Sequence, residues 1–576
     1  MSAELLQRAA RWADDDVDAD DAEEVRTLIA TGDLAALSER FAGPLEFGTA
    51  GLRGVLGAGE SRMCRAVIAR TTLGLGRALL ASDPRARARG VVVGYDGRTK
   101  SRVFAEDVCR VLAALGVVTH LYPRLGPTPL VAFAVTHLDA AAGVMITASH
   151  NPPEYNGYKV YAGNGAQIVP PVDAAIASEI ARAEGARAVA VVELEEARAR
   201  GLVRDVGDDV IDRYHAEVAA LSHDRRGRAA VRIVHTSLHG TAERFTPRAL
   251  HDFGFDAVYS VALQKEPDGA FPTVKFPNPE EPGALDLSYA LAKEKGATLV
   301  LANDPDADRL AVAIAGRDGA FRQLSGNEVG LLLGEFLLRR EAGGPERLVV
   351  TTVVSSPALP YVAAALGVRS ELTLTGFKWI ATRALELERE GARFVFGFEE
   401  ALGYSVGTVV RDKDGVSAAA VFAELAAVAQ ADGRTIEDEL ERIARAYGLF
   451  ASRQHNVTRK GAAGAKEIER TMERLREAPP TRIGAHAVVA VRDVLRGTRT
   501  ASDGTTALAL PKSNVLAFDL EGGGRVVARP SGTEPKIKYY FDVREDIAPG
   551  EPFSAAKARA ELALDGLAAA FAELVR

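Results

Sequence analysis

From Gly90 onward, short β-branched runs alternate with Gly-rich or Ser-rich turns and with stretches whose apolar residues recur at helical spacing. The run at 91–95 is followed by a segment with one apolar helical face, formed by Phe104, Val108, Val111, Leu112 and Leu115. Comparable runs occur at 231–235 and 348–354. This alternation predicts parallel βαβ construction, repeated in three similar α/β domains.

The two ends of the chain have a different pattern. Residues 5–40 predict helix, with the Asp-rich stretch 14–21 as a solvated break. After residue 451, a helix near 466–476 precedes a group of strand-like runs and a closing helix, which predicts an α+β domain. The strand-like runs lie at 487–491, 515–520, 524–528 and 536–543. The expected fold is therefore α/β with four domains, at 1–203, 204–322, 323–451 and 452–576.

Composition narrows the class of protein. The 576 residues carry 70 Lys and Arg against 78 Asp and Glu, for a formal net charge of -8, so no basic surface predicts nucleic-acid binding. Cys64 and Cys109 are too few for a disulfide framework. No stretch has the 18 or so apolar residues of a membrane span, and the N-terminus becomes acidic where a signal peptide needs an apolar core. We expect a cytoplasmic protein without a membrane partner.

An acidic motif directly follows the apolar run 299–302. Asp304, Asp306 and Asp308 alternate in the segment DPDADRL, before the chain becomes apolar again. Three carboxylates so close together require a cation, and an oxygen-only ligand set suits Mg²⁺. An EF-hand is excluded because Arg309 and Ala315 stand where its loop needs Gly and Glu. A solvated acidic turn is the alternative, but such a turn is unusual between two buried strands.

A serine occupies a comparable position after the strand-like run 143–147. Ser149, in TASHNPP, could act as a nucleophile if a base or a metal activates it. On this segment alone, a structural turn before Pro152 and Pro153 is the favoured interpretation. Its flanks lack the GxSxG pattern of α/β-hydrolases, which argues against acyl transfer. Because Mg²⁺ sites commonly keep positions for phosphate oxygens, a phosphoserine at Ser149 would connect the two motifs.

Three further segments contain candidate binding groups. RPSGTEP, which begins at Arg529, combines a guanidinium with hydroxyls and backbone amides that can surround an oxyanion. A plain glycine turn is an equal alternative for this segment. GFEEALGY, with Glu399 and Glu400, offers carboxylates for sugar hydroxyls, although an acidic surface turn is the simpler interpretation. FGTAGLRG has a cation, Arg53, as its last residue but one and lacks the Walker lysine, so it does not indicate nucleotide binding.

These five motifs, in this order, resemble the alpha-D-phosphohexomutase superfamily of phosphoglucomutases and phosphomannomutases. The resemblance covers almost the whole chain and implies three similar α/β domains and a different C-terminal domain around a central cleft. One departure lies in the GFEEALGY segment, here named the sugar loop for the role that the resemblance implies. Many hexomutases have Ser where this chain has Ala401. The EEALGY form resembles the branch that contains phosphopentomutases and glucose 1,6-bisphosphate synthase.

The resemblance also implies roles for individual residues. Ser149 would be the phosphoserine and would bind one Mg²⁺ per chain together with Asp304, Asp306 and Asp308. His150, Lys159, Arg53 and Arg309 would line the transfer site, with Lys159 a candidate general acid or base. The residues expected to bind substrate are Thr49, Lys378, Glu399, Ala401, Lys413, Arg529, Ser531, Gly532 and Thr533.

The implied reaction moves a phosphoryl group between positions 1 and 6 of a hexose phosphate, with glucose ahead of mannose. A sugar 1,6-bisphosphate would be intermediate and activator, a sugar phosphate the only partner, and the protein a monomer or weak homodimer. A phosphopentomutase, which uses ribose or deoxyribose phosphate, is the main alternative. A sugar-phosphate phosphatase and a non-catalytic sugar-phosphate sensor are the others.

Overall fold

The computed structural model describes residues 2–46, 51–316, 318–340, 343–459, 461–531 and 536–576. Within these ranges the chain forms two compact units. The first contains Met1–Leu324, Gly376–Thr382 and Leu402–Ala431, and the second contains Ser325–Thr375, Arg383–Ala401 and Asp432–Arg576.

The helices are distributed along the whole chain. They are α1 (Ser2–Asp15), α2 (Ala19–Thr31), α3 (Leu34–Arg40), α4 (Arg65–Ser82), α5 (Ala86–Arg89), α6 (Ser101–Ala114), α7 (Thr128–His137), α8 (Val172–Ala181), α9 (Leu194–Ala199), α10 (Asp208–Ala219), α11 (Thr246–Asp252), α12 (Asp286–Lys295), α13 (Gly326–Arg340), α14 (Ala358–Ala365), α15 (Phe377–Arg389), α16 (Gly415–Ala431), α17 (Ile436–Tyr447), α18 (Gly461–Glu477) and α19 (Phe553–Leu574).

The strands alternate with these helices until the C-terminal part, where strands predominate. They are β1 (Leu52–Val55), β2 (Val91–Tyr95), β3 (Thr119–Leu121), β4 (Ala142–Ile146), β5 (Tyr155–Ala162), β6 (Val203–Asp205), β7 (Ile233–Thr236), β8 (Val258–Ser260), β9 (Leu299–Asn303), β10 (Leu310–Ala315), β11 (Phe321–Gln323), β12 (Arg347–Thr352), β13 (Arg369–Thr373), β14 (Arg393–Glu399), β15 (Gly403–Val406), β16 (Leu449–Thr458), β17 (Arg482–Ile483), β18 (His486–Asp493), β19 (Thr498–Ala501), β20 (Gly504–Ala507), β21 (Leu516–Leu520), β22 (Arg525–Pro530) and β23 (Lys536–Glu545).

The first unit contains two mixed sheets. One has the order β1-β5-β4-β2-β3-β6, in which β2, β3, β4 and β6 pair in parallel and β5 pairs antiparallel with both β4 and β1. Every residue of β2 and β4 is buried, as expected for central parallel strands covered by helices. Helix α7 packs so closely on them that a Cβ at Gly143 would lie 2.6 Å from a methyl group of Val135.

The second sheet of this unit has the order β11-β10-β9-β7-β8. Strands β7, β8 and β9 pair in parallel, and β10 returns antiparallel to β9, with Leu310 opposite Asn303. The loop between these two strands contains the acidic motif. The β-hairpin therefore holds the motif between two buried strands.

The second unit contains a parallel set, β13-β12-β14, and a larger antiparallel sheet. The larger sheet has the order β16-β23-β22-β21-β18-β19-β20, and α18 and α19 contribute Met472, Leu564 and Phe571 to its core. Three mixed or parallel α/β assemblies and a C-terminal domain of a different type confirm the predicted α/β fold class.

Two expectations about secondary structure need revision. Strand β16 was not predicted, because most of its side chains are exposed or half-buried and it has no clear apolar alternation, yet it pairs with β23 over its full length. The Asp-rich segment does interrupt the helices between α1 and α2, but the expectation that it is solvated is wrong for Asp16 and Asp21. Asp16 is buried and accepts hydrogen bonds from Trp12 Nε1 and the Asp18 amide, while Asp21 accepts one from Lys100 Nζ.

Across the described ranges, no single helix is both long and apolar enough to cross a membrane. The consecutive pair α16 and α17 passes that test only when combined, on length and composition.

Candidate active site

Ser149 lies three residues beyond the end of β4, on a tight backbone turn. Its φ of +54° is in the left-handed region, which a residue with a Cβ adopts at a cost of roughly 1 kcal/mol. The side chain is buried, and Oγ donates a hydrogen bond to Asp304 Oδ2 at 2.7 Å. His150 Nδ1 lies 3.0 Å from the same Oγ. The structure thus brings the two motifs predicted from sequence into direct contact.

The three aspartates of the acidic motif form a compact buried cluster. Each of Asp304, Asp306 and Asp308 offers a carboxylate oxygen, and these oxygens all lie within 4.8 Å of one another. Within the described part of the chain, Asp306 Oδ1 and Asp308 Oδ1 are buried and have no hydrogen-bond partner. Buried carboxylate oxygens without donors are costly unless a cation binds them. The donor set and these two oxygens fit a hard divalent cation.

The pKa values of the three carboxyl groups diverge. Burial, followed by the charges of Asp306 and Asp308, raises the pKa of Asp304 well above its usual value. Burial is the largest single effect on Asp306 and Asp308 and also acts to raise their pKa values, and the charge of Asp308 adds to it at Asp306. The opposing charges and hydrogen bonds, with Lys159 first among them, together outweigh these effects and lower both pKa values. Two of the three groups are therefore held as carboxylates by neighbouring cations.

Lys159 and Lys413 are these neighbouring ammonium groups. Lys159 Nζ donates to Asp306 Oδ2 at 2.7 Å and to Asp308 Oδ2 at 2.8 Å. Lys413 Nζ lies 3.2 Å from Asp308 Oδ2 and 3.3 Å from Asp412 Oδ1. Burial acts to lower the pKa of Lys159, but the two aspartates outweigh it and raise this pKa. Lys413, expected at the substrate, thus lies against a predicted metal ligand.

The other residues expected at the transfer site lie around this cluster. Arg309 is close to Asp308, with 3.9 Å between Nε and Oδ1, and Arg53 Nη1 donates to Asn151 Oδ1 at 2.8 Å. Burial, then the charges of Arg309 and Arg53, lowers the pKa of His150 well below its usual value. His150 is therefore a neutral imidazole beside the serine.

Arg98, which the sequence analysis did not identify, donates hydrogen bonds to the backbone of the loop that contains Ser149. Its guanidinium donates to four backbone carbonyl groups, which belong to Ser149, Asn151, Pro152 and Tyr155. The sequence contains only a positional indication of this role. Arg98 follows the end of β2 and Ser149 follows the end of β4, and because these strands are parallel, the loops after them lie at the same edge of the sheet. Arg98 fixes the strained turn that presents Ser149.

The remaining predicted groups of the first unit are Lys378 and Thr49. Lys378 is buried near the start of α15, and burial lowers its pKa. Its ammonium lies 5.6 Å from the Trp379 ring and has no hydrogen bond or ion pair to any residue that the structure describes. Thr49 lies outside the described residues.

In the second unit, Glu399 ends β14 and lies beside Glu400 and Ala401. Glu400 Oε2 accepts a hydrogen bond from Ser355 Oγ at 2.8 Å. Burial and the charge of Glu399 raise the pKa of Glu400, and nearby Arg529 acts to lower it. The sugar loop and the Arg529 segment of β22 are therefore neighbours within this unit.

Ser531 continues the Arg529 segment, and its amide donates to the Lys536 carbonyl at 2.7 Å. Gly532 and Thr533, the other two residues expected to bind phosphate here, lie outside the described residues.

Family models for phosphoglucomutase/phosphomannomutase match the chain in four successive blocks. Alpha/beta/alpha domains I, II and III match residues 44–187, 212–317 and 325–447, and the C-terminal domain matches 467–548. A fold built of three α/β assemblies and one different domain, with a serine against a carboxylate cluster, is that of a phosphosugar mutase. The chain belongs to the phosphoglucomutase/phosphomannomutase family, and it is an isomerase-type phosphotransferase.

Proteins that are similar in sequence to this chain are named for several different sugar phosphates. A probable phosphomannomutase of Haemophilus influenzae is 40% identical over 486 residues, which cover 84% of this chain and 93% of that protein. Human phosphopentomutase is 36% identical over 578 residues, which cover 94% of this chain and 92% of that protein. Human glucose 1,6-bisphosphate synthase is 36% identical over 549 residues, which cover 90% of this chain and 87% of that protein.

Among solved structures, a putative phosphomannomutase from Thermus thermophilus matches with a TM-score of 0.66. It is 24% identical, and the match covers 91% of this chain and 98% of that one. At this identity the likeness supports the fold only.

Proposed function

We propose that this phosphosugar mutase moves a phosphoryl group between the 1- and 6-hydroxyls of a hexose phosphate, with glucose phosphate as its principal substrate, through phosphoserine at Ser149. The observation that carries the proposal is the 2.7 Å hydrogen bond from Ser149 Oγ to Asp304, inside a buried carboxylate cluster. A hydroxyl in this position needs a cation beside it before it can hold a phosphoryl group.

The cation proposed for this site is one Mg²⁺ per chain, held by Asp304, Asp306, Asp308 and the phosphate on Ser149. When bound, it supplies positive charge next to the transferring phosphoryl group, which is the chief electrostatic requirement of this chemistry. Phosphoserine would give its phosphoryl group to the free hydroxyl of the sugar monophosphate and so form a sugar 1,6-bisphosphate. This intermediate, which is also the proposed activator, would return its other phosphoryl group to Ser149 and leave as the product monophosphate.

The protein's own groups would complete the transfer site. Arg53 and Arg309 add positive charge next to the serine loop, and Arg98 fixes that loop. Lys159, held 2.7 and 2.8 Å from two aspartates, is the candidate acid or base for the sugar hydroxyl. His150, whose Nδ1 lies 3.0 Å from Ser149 Oγ, would position that oxygen.

Further residues are proposed to bind sugar hydroxyls and phosphate. Glu399 would accept hydrogen bonds from sugar hydroxyls, and Arg529 with Ser531 would bind the phosphate that is not reacting. Thr49, Lys378, Gly532 and Thr533 complete the proposed substrate set. The proposed domain boundaries remain 1–203, 204–322, 323–451 and 452–576.

A phosphopentomutase is the second candidate, favoured by Ala401 in the sugar loop and by relatives of that name. In that reaction the phosphoryl group would move between positions 1 and 5 of ribose or deoxyribose. Rates on glucose 1-phosphate, mannose 1-phosphate and ribose 1-phosphate, measured with Mg²⁺ and a trace of the matching bisphosphate, distinguish the candidates. Continuous release of free phosphate would instead identify a phosphatase.

The test of the serine is Ser149→Ala. We expect this variant to lose turnover and to take up no label from a ³²P-labelled sugar bisphosphate, with its thermal unfolding unchanged. Ser82→Ala is the matched control, because Ser82 is an exposed serine whose hydroxyl, among the residues that the structure describes, donates only to the Leu79 carbonyl of its own helix. Full activity or normal labelling of Ser149→Ala would refute the proposal.

A further inference from the structure

A cavity in the first unit is lined by none of the site residues described above. Its volume is ≈ 230 Å³. Two arginines and one aspartate stand among otherwise mostly apolar lining residues, of which the most important are Tyr122, Arg124, Asp208, Ile211, Arg244 and Phe245. Tyr122 and Phe245 are buried and form an apolar wall. The composition is that of a small-ligand site, with an apolar interior and a few charged groups.

The two arginines are the chemical feature that defines the ligand. Arg124 and Arg244 are exposed, and neither guanidinium has a hydrogen bond or an ion pair to any residue in the described part of the chain. Each guanidinium presents parallel N–H groups that match the oxygens of a phosphate. Two such groups at one cavity favour a ligand with a phosphate, while Asp208 can accept hydrogen bonds from its hydroxyls.

The size of the cavity suits a small ligand. A volume of ≈ 230 Å³ is large enough to hold several water molecules. A phosphate monoester of a short polyol fits this space.

Both walls of the cavity connect directly to the carboxylate cluster. The segment that contains Arg124 leads into Thr128, whose amide donates to the Asp306 carbonyl at 2.9 Å and whose Oγ1 donates to Asp306 Oδ2 at 2.6 Å. On the other wall, Phe245 precedes Thr246, whose Oγ1 donates to Asn303 Oδ1 at 2.8 Å. Asn303 immediately precedes Asp304. A ligand that draws the two walls together would therefore act on both ends of the Asp304–Asp306 segment.

We propose that this cavity is a regulatory site for a compact polyol phosphate monoester, bound by Arg124 and Arg244 and coupled to the carboxylate cluster through Thr128 and Thr246. Binding there would favour one arrangement of the acidic loop and thereby change the rate of phosphoryl transfer. The site does not depend on which sugar phosphate the enzyme converts.

The test uses the full chain with glycerol 3-phosphate as the probe and hydrogen exchange read by mass spectrometry. We expect the probe to protect amides in 122–128 and 244–249 of the wild-type protein. In the double variant Arg124→Gln/Arg244→Gln, the probe concentration for half-maximal protection of these segments should rise at least tenfold. Protection of 148–153, where the probe can compete at the serine, should not change between the two proteins.

Arg11→Gln/Arg225→Gln is the matched control, because both arginines are exposed, lie outside the cavity and have no hydrogen bond or ion pair to the residues described. It should behave as the wild type. The probe should also change the mutase rate at saturating sugar phosphate at least twofold in the wild type and in this control, but not in the cavity variant, whose basal rate should be normal.

Absence of protection in the wild-type segments, or equal protection in the cavity variant, would overturn the site. Protection of both segments without a change in rate or in exchange at 303–309 would overturn the coupling.

Discussion

Ser149 Oγ and Asp304 Oδ2 are 2.7 Å apart although 155 positions separate the two residues in the sequence. Each residue belongs to a loop that follows a buried strand, and the two strands belong to different sheets of the same unit. This hydrogen bond joins the loop that contains Ser149 to the loop that contains Asp304, so that the two loops form one site.

Metal dependence is the first prediction. Removal of divalent ions with EDTA should lower turnover by about 100-fold or more, because transfer then lacks charge neutralisation at the phosphoryl group. Added Mg²⁺ should restore the rate and raise the midpoint of thermal unfolding, since it binds the native state only.

Asp304→Asn should weaken the Mg²⁺-dependent rise of that midpoint by removing one of the three carboxylates. Asp318→Asn, in the exposed turn between β10 and β11, is the control, because an amide oxygen can still accept the hydrogen bond from the Ala320 amide. An unchanged Mg²⁺ response in Asp304→Asn would contradict the assignment of the metal site.

Arg98 is predicted to be a positioning residue. In Arg98→Lys, one ammonium cannot replace the guanidinium bonds to four carbonyl groups, so the turn that presents Ser149 should loosen. We expect kcat to fall by about 10- to 100-fold with little change in KM, as for a misplaced reacting group. Steady-state kinetics, with ³²P labelling of Ser149, measure this effect.

The control for Arg98→Lys is Arg102→Lys, an exposed residue on α6 whose guanidinium pairs with Glu106. A rise in KM alone would show that Arg98 serves substrate binding instead. A lower melting temperature with normal kcat would show that it serves stability.

Ala401 is predicted to affect the choice of sugar. Ala401→Ser restores the hydroxyl found in many hexomutases and adds a polar group beside Glu399 and Glu400. We expect the ratio of kcat/KM for glucose 1-phosphate to that for ribose 1-phosphate to rise by about 10-fold, the scale of one added hydrogen bond. Ala401→Gly, which adds no hydroxyl, is the control, and an equal shift in both variants would exclude the hydroxyl as the cause.

Stability should depend on pH through Asp16. Burial is the largest cause that raises its pKa from 3.8 to about 6, and the carboxylates of Asp21 and Asp18 add to it, while hydrogen bonds from the Asp18 amide and Trp12 act to lower it. Among the cations around this group, Lys100 donates to Asp21 and Arg187 donates to the Asp16 backbone carbonyl. The native state therefore holds a proton that the unfolded state releases between pH about 4 and about 6, and Asp16 makes stability fall as pH rises through this window.

Asp16→Asn should remove this contribution. Between pH 4.5 and pH 7, we expect the thermal midpoint of Asp16→Asn to rise relative to that of the wild type. Asp20→Asn, an exposed residue on the same segment, should leave the pH profile unchanged. A profile for Asp16→Asn parallel to that of the wild type would contradict the raised pKa.

Much of the fold was predictable because apolar periodicity is a local property. The buried runs that became β2, β4 and β9 and the amphipathic run that became α6 follow from residues adjacent in sequence. Strand β16 was missed because it is stabilised mainly by its pairing with β23, whose residues lie 78 to 96 positions away in the sequence, and its exposed side chains leave no pattern.

The sequence by itself determined the chemistry of each motif: a serine after one strand, three carboxylates after another, and the family to which this combination belongs. Only the tertiary structure decided the pairings, with Lys159 and Lys413 against the aspartates, Arg98 beneath the serine loop and Asp16 buried rather than solvated. The physical reason is that the energy of a buried charge depends on its spatial neighbours, and a sequence does not state which distant residues those neighbours are.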